Sequence, residues 1–214
     1  GILGDPVDHS LSPRMHNAAY AALGLDFAYV PFRATAASVR DAVKALRTLG
    51  IVGFNVTVPF KQDVVKLVDR LSPAAKAIGA VNTIHRDGNK VVGDNTDAAG
   101  FEAALASHRA KVRGARVLVI GAGGSARAVL HALRAGGAAD VVLANRTRAK
   151  ALKLAREFGA TATSLDALRD PGLVGSRTLV VNCTPVGLKG GDFLPYDAAA
   201  SARRCVHFDL AYSA

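Results

Sequence analysis

Short apolar runs alternate along the chain with longer stretches in which apolar residues recur every three or four positions. Residues 53–58, 81–86, 116–120, 141–144, 160–163, 178–181 and 205–210 are compact runs that predict strands, as do 27–31 and the stub at Ile2 and Leu3. Between the strands, Val39, Val43, Leu46 and Leu49 mark one face of a helix over 36–49, closed by Gly50. Ser12-Pro13 predicts the N-cap and first residue of a helix that ends near Gly24. Further helices are expected over 60–69, after Ser72-Pro73, from Thr96 to about Ser107, after Ile120 to about Arg134, and over 147–158. The runs 81–86 and 90–93 flank Asp87-Gly88-Asn89 and predict a hairpin. Strands alternating with helices imply an α/β fold with a mainly parallel sheet. The basic, polar stretch 108–114 marks a change of character. We therefore expect two domains, 1–97 and 98–214, with the helix after Thr96 as connector.

Composition narrows the class. A chain of 214 residues buries enough surface to fold without staples. Its two cysteines, Cys183 and Cys205, form no CxxC pair and have no His at ligand spacing, so a metal site is not expected. Two isolated thiols fit a reducing, cytoplasmic setting. No apolar run is long enough to span a bilayer, and no membrane partner is expected. The net charge is +10, but the lysines and arginines are scattered and aromatics are sparse. A nucleic-acid surface would cluster them with stacking rings, so an anionic small molecule is the expected partner. Asn55, Asn145 and Asn182 each open an N-x-T triplet after an apolar run and read as strand ends.

The first chemical signal is Val117-Leu-Val-Ile-Gly-Ala-Gly-Gly-Ser-Ala-Arg-Ala: a buried strand, a glycine turn and a helix start. Gly121 permits the turn, and Gly123 lets a pyrophosphate approach the backbone. Gly124 and Ser125 open a helix whose N-terminus favours phosphate, while Ala122 and the small Ala126 complete the motif. This makes 98–214 a Rossmann-type domain. At the end of the next strand, an enzyme using NAD usually carries an acidic residue. Here stand Asn145-Arg146-Thr147, with Lys150 after them. Arg146 attracts a 2′-phosphate, so the expected cofactor is NADP(H).

The second signal is a set of polar segments at strand ends in residues 1–100. They are Ser10-Leu-Ser12, Asn55-Val-Thr57 with Lys61, Asn82-Thr83, and Asp94-Asn-Thr-Asp97. Hydroxyls and amides suit a polyhydroxylated ligand, and a lysine suits a carboxylate or developing alkoxide. Taken singly, each residue also has a plain structural reading as a cap, turn or surface charge. His9 and His16 lie beside the serines; His16 reads as a packing or solvent residue, and His9 as support for the Ser10 loop.

These segments resemble the shikimate dehydrogenase family. The resemblance is carried by Gly4-Asp-Pro-Val-Asp-His-Ser-Leu-Ser-Pro13, Gly53-Phe-Asn-Val-Thr-Val-Pro-Phe-Lys61, Gly79-Ala-Val-Asn-Thr83 and Gly93-Asp-Asn-Thr-Asp-Ala-Ala-Gly100. Gly121 to Ala128, Asn145-Arg-Thr147 and Asn182-Cys-Thr-Pro-Val-Gly187 complete the set in family order. The resemblance implies that Ser10 and Ser12 bind a substrate carboxylate, and that Asn55, Thr57, Asn82 and Asp97 bind its hydroxyls. It implies that Lys61 and Asp97 are the catalytic pair, that Tyr212 lies near the substrate, and that the reaction interconverts 3-dehydroshikimate and shikimate.

The pattern departs at Asp209-Leu-Ala-Tyr-Ser-Ala214, where the family has Asp-x-Val-Tyr-x-Pro and continues. The resemblance thus implies a further C-terminal part, with helices returning to the first domain, that this chain lacks. Three alternatives stand beside it: a quinate or aminoshikimate paralogue, another two-domain dehydrogenase, and a silent ligand-binding homologue. The expected state is a monomer or homodimer.

Overall fold

In the computed structural model, residues 1–187 and 194–211 are described. The chain divides into two compact units, Gly1–Thr96 and Asp97–Ala214.

The first unit contains β1 (Ile2–Gly4), α1 (Ser12–Ala22), β2 (Pro31–Arg33), α2 (Val39–Thr48), β3 (Gly53–Val56), β4 (Arg70–Leu71), α3 (Pro73–Ile78), β5 (Thr83–Asp87) and β6 (Lys90–Asp94). Its six strands are ordered β2-β1-β3-β5-β6-β4. The β1–β2, β1–β3 and β4–β6 pairs are parallel, whereas the β5–β6 hairpin and its junction with β3 are antiparallel. The sheet is therefore mixed. Val39, Val43 and Leu46 of α2 are buried with Leu3, Phe54, Val64, Ile84 and Val91 in one core. Leu49, expected on that same face, is 72% exposed because the helix has already ended at Thr48.

The second unit contains α4 (Asp97–Ser107), β7 (Arg116–Ile120), α5 (Gly124–Ala135), β8 (Asp140–Asn145), α6 (Arg148–Phe158), β9 (Thr161–Ser164), α7 (Pro171–Gly175), β10 (Leu179–Asn182) and β11 (Val206–Asp209). Its strands are ordered β11-β10-β7-β8-β9, and every pair is parallel. A sheet covered on both faces needs apolar strands throughout, and Val117, Leu118, Val119 and Ile120 are all fully buried. Each such side chain contributes about 1.5–3 kcal/mol relative to exposure. Ala126, Ala128 and Ala132 on the buried face of α5 keep side-chain bulk off the sheet. Arg127 of α5 pairs with Glu157 of α6, with Nη1 to Oε2 at 3.0 Å, and lies 5.3 Å over the Phe158 ring.

Two expected elements differ. The strand over 27–31 forms only from Pro31, because the Asn17 side chain takes the backbone of Tyr29 on both its N–H (2.8 Å) and its carbonyl (2.9 Å). The helix over 60–69 is only a 3₁₀ turn at Asp63–Lys66. The Lys61 carbonyl, which a helix would use internally, accepts from the Val81 N–H at 2.7 Å. The short strand β4 follows instead, a pairing too brief to read from the sequence pattern.

Asp69 ties this region together. Its carboxylate accepts from the Val91 N–H at 2.6 Å and from the Arg47 guanidinium, and these bonds hold its pKa below the ordinary 3.8. A carboxylate with a depressed folded pKa stabilises the fold above its unfolded pKa and loses that contribution as pH falls through the folded value. Asp69→Asn should therefore lower stability at neutral pH and flatten the acid limb below about pH 4. Urea denaturation across that range measures it, and an unchanged acid limb contradicts it.

Candidate functional site

The polar segments of the first unit lie at one edge of its sheet. In register, Leu3 of β1 pairs with Val56, the last residue of β3, Asn55 of β3 with Thr83 of β5, and Thr83 with Asp94 of β6. The carboxyl ends of β1, β3 and β6 and the start of β5 therefore coincide. Asn55 Nδ2 donates to Thr83 Oγ1 at 3.2 Å, and the Tyr29 hydroxyl reaches Asn55 Oδ1 at 2.7 Å. The buried Asn82 accepts from the Thr96 N–H at 2.9 Å and from the Thr83 hydroxyl at 3.0 Å, and donates to Thr96 Oγ1 at 2.9 Å. Asp94 accepts from the Ser72 hydroxyl and from the Asn95 N–H at 2.7 Å.

After β1 the chain turns through a loop carrying both serines. Ser10 Oγ accepts from the Ser12 N–H at 3.3 Å, so Ser10 holds the helix entrance. Ser12 is the first residue of α1, not its N-cap, which is Leu11. Thr57 presses on β1: a Cβ at Gly4 would sit 2.4 Å from its Cγ2. Only glycine allows that approach, and it brings the serine loop beside the end of β3. Lys61 is half-buried in the first unit, whereas Asp97 opens the second. His16 stacks on Tyr29 with centroids 4.2 Å apart, a packing role; His9 is exposed.

In the second unit, the chain leaves β7 through α5 to β8 on one side, while β10 lies on the other. Gly121 follows β7 at this switch point with φ +107°. A Cβ there would meet Thr184 Cγ2 at 3.0 Å and the Cys183 carbonyl carbon at 3.1 Å, so the turn is pressed against the end of β10. A Cβ on Gly123 would meet nothing within 4 Å, which leaves open space above the N-terminus of the twelve-residue α5. Ala122, Gly124 and Ser125 are partly exposed around it and Ala126 is buried against the sheet.

Asn145 ends β8 and donates to the Thr147 carbonyl at 3.0 Å, while Thr147 forms the N-cap position of α6. Arg146, Arg148 and Lys150 are exposed there, with no ion pair among the described residues. Tyr212 lies outside the described residues. Burial raises the pKa of the Cys205 thiol. Among the described residues, no group of three His, Cys, Asp or Glu side chains is placed to hold a metal, and no helix is long and apolar enough to cross a membrane. Two cavities of the second unit, of about 170 and 230 Å³, involve the starts of β8 and β10 at the opposite sheet edge.

Tyr29, which joins the first edge, was not singled out from sequence; Thr83 and Thr96 there, and buried Asn182 at the second edge, stood in motif segments without an assigned role. Asn182 Nδ2 donates to both Asp209 carboxylate oxygens at 3.0 and 3.1 Å, and its Oδ1 accepts from the Thr184 N–H at 2.9 Å. The N-x-T triplets were the available signal: Asn55, Asn145 and Asn182 all sit at or next to strand ends.

Fold and edge chemistry together define a two-unit α/β protein with a Rossmann-type second unit. Residues 2–84 match the shikimate dehydrogenase substrate binding domain, and residues 104–184 match shikimate / quinate 5-dehydrogenase. The chain is 44% identical to a shikimate dehydrogenase (NADP(+)) of Geobacter sulfurreducens, over 99% of this chain and 77% of that protein. Shikimate dehydrogenase from Aquifex aeolicus superposes with a TM-score of 0.90 at 38% identity, over 98% of this chain and 77% of that one. Shikimate 5-dehydrogenase from Thermus thermophilus, in complex with NADP(H) and shikimate, gives 0.86 at 38% identity, over 99% and 78%. The chain belongs to the shikimate dehydrogenase family.

The two glycines separate packing from ligand space. Gly121→Ala should destabilise the protein, because it strains a positive φ and crowds Thr184, by about 1–3 kcal/mol. Gly123→Ala should leave the melting temperature close to wild type. Thermal denaturation of both variants checks this, and equal losses would contradict the assignment.

Proposed function

We propose that this chain is an NADP-dependent shikimate dehydrogenase, reducing 3-dehydroshikimate reversibly to shikimate in aromatic amino-acid biosynthesis. The observation that carries the reading is the match to an NADP(+) shikimate dehydrogenase along 99% of the chain. The geometry supports it: amides and hydroxyls line one sheet edge, and the glycine turn occupies the switch point of a parallel sheet.

The second unit fits the cofactor. The open space over Gly123 admits a pyrophosphate to the N–H groups of the first turn of α5. Gly121, Ala122, Gly123, Gly124, Ser125 and Ala126 form that cradle. Asn145, Arg146, Thr147 and Lys150 receive the adenine ribose, and the cations there favour a 2′-phosphate. The cofactor, when bound, supplies the hydride for the ring ketone.

In the first unit, Ser10 and Ser12 take the substrate carboxylate. Asn55, Thr57 and Asn82 hold hydroxyls, as Asp97 does from the second unit. Lys61 donates the proton to the ketone oxygen, with Asp97 as the second member of the catalytic pair, orienting the lysine; the family motif order supports that pairing. Tyr212 belongs near the substrate on the same grounds. The protein acts as a monomer or homodimer, and the two free cysteines support a cytoplasmic location. A quinate activity is the second reading, favoured by the family description that covers residues 104–184 and names both acids.

A panel of shikimate, quinate and aminoshikimate against NADP⁺ and NAD⁺ tests the reading. The highest kcat/KM should fall on shikimate with NADP⁺, and Arg146→Ala should raise KM for NADP⁺ more than for NAD⁺. Equal effects on the two cofactors contradict the role of Arg146, and preference for quinate contradicts the substrate. Lys61→Met should lower kcat by about 10²–10⁴-fold with NADP⁺ binding near normal; a wild-type kcat refutes the proton-donor role.

A further inference from the structure

The direction of each hydrogen bond in the chain from Thr96 through Asn82, Thr83 and Asn55 to Tyr29 follows from one backbone donor. The Thr96 N–H, which can only donate, points at the Asn82 amide at 2.9 Å, so the atom it meets is oxygen. Thr83 Oγ1 lies 3.0 Å from that same oxygen, and between two oxygens the one hydrogen available is that of the Thr83 hydroxyl. Its proton spent, Thr83 Oγ1 can only accept from Asn55 at 3.2 Å, so Asn55 presents nitrogen to it. The amide oxygen of Asn55 then faces the Tyr29 hydroxyl at 2.7 Å, and the phenol must donate.

We propose that Tyr29 is a positioning residue that locks the Asn55 amide in this orientation. The amide hydrogen not given to Thr83 is then held in one fixed direction, and Asn55 can offer it to a substrate oxygen as a donor, while Oδ1 keeps one lone pair beside the Tyr29 hydroxyl. Tyr29 is built for the task. It is 4% exposed, its backbone is clamped on both sides by the Asn17 amide of α1, and its ring stacks on His16 at an interplanar angle of 4°. The Asn55 side chain has no other hydrogen-bond partner among the described residues. A flipped Asn55 would set its oxygen against Thr83 Oγ1, whose one proton is already given to Asn82, and turn its amide nitrogen on Tyr29. Specificity follows, because a ligand atom lacking a lone pair at this position leaves a polar hydrogen unpaired.

The substrate side of this inference rests on the shikimate reading, and two measurements keep the two separable. Neutron diffraction from deuterium-exchanged crystals of the protein should show deuterons on the Asn55 atom facing Thr83, and the Tyr29 deuteron toward Asn55. The reverse orientation overturns the proposal whatever the substrate. In kinetics, Tyr29→Phe keeps the ring and its stack but removes the hydroxyl. KM for shikimate should rise about tenfold, the scale of one hydrogen bond. The kcat and the KM for NADP⁺ should stay within about twofold. The monodeoxy shikimate that lacks the oxygen held by Asn55 should bind wild type and Tyr29→Phe equally. Thr83→Val should reproduce the loss and Thr83→Ser restore it. A uniform loss across all deoxy analogues would mean that Tyr29 is merely structural and would overturn the proposal. If wild type fails to turn over shikimate, the functional reading falls and the neutron map alone decides the orientation of Asn55.

Discussion

Burying an amide without partners costs roughly 2–7 kcal/mol, and the edge of the first unit is organised around meeting that demand at Asn82. Asn82 is 8% exposed at the start of β5, between the end of β3 and the turn after β6. Its oxygen takes the Thr96 N–H and the Thr83 hydroxyl, and its nitrogen reaches Thr96 Oγ1. Through Thr83 the same constraint reaches Asn55, and through Asn55 it reaches Tyr29 and α1. A set of flexible polar side chains thereby becomes one ordered row. Such preorganisation is what a hydroxylated ligand requires, since the bonds are aimed before it arrives.

The second unit meets the same problem in the same way. Buried Asn182 ends β10, and its amide joins Asp209 of β11 to the turn at Thr184. That turn is what Gly121 packs against, so the glycine loop after β7 is shaped by its neighbouring strand as well as by its own sequence. Beyond the loop, Gly123 leaves space and α5 offers its N-terminus. The Arg127–Glu157 pair fastens α5 to α6, and α6 begins just after Arg146, which follows β8. The starts of α5 and α6 thus follow two adjacent strands of one parallel sheet.

Much of this was legible in the sequence because it is local. The run 116–120 became β7 with the same limits, and the glycine turn and α5 followed it as their composition required. The hairpin around Asp87-Gly88-Asn89 likewise needs only neighbouring residues. What was not legible depends on partners distant in the chain. Tyr29 meets Asn55 across 26 positions, and Asn17 removes Tyr29 from the strand pattern by a side-chain clamp. Lys61 loses its expected helix to the N–H of Val81, twenty residues on. The roles proposed for Ser10, Ser12, Lys61 and Asp97 came from motif resemblance, because each type alone is equally at home as a cap or a surface charge.

The proposed reaction is a hydride transfer from a nicotinamide to a hydroxylated cyclic acid, and isotope tracing measures that transfer itself. The protein is incubated with 3-dehydroshikimate and NADPH carrying deuterium at both positions of nicotinamide C4, and the product is analysed by mass spectrometry and NMR. The product should be shikimate bearing a single deuterium on the carbon that was the ketone. Unlabelled shikimate, or no reduction of 3-dehydroshikimate at all, would contradict it.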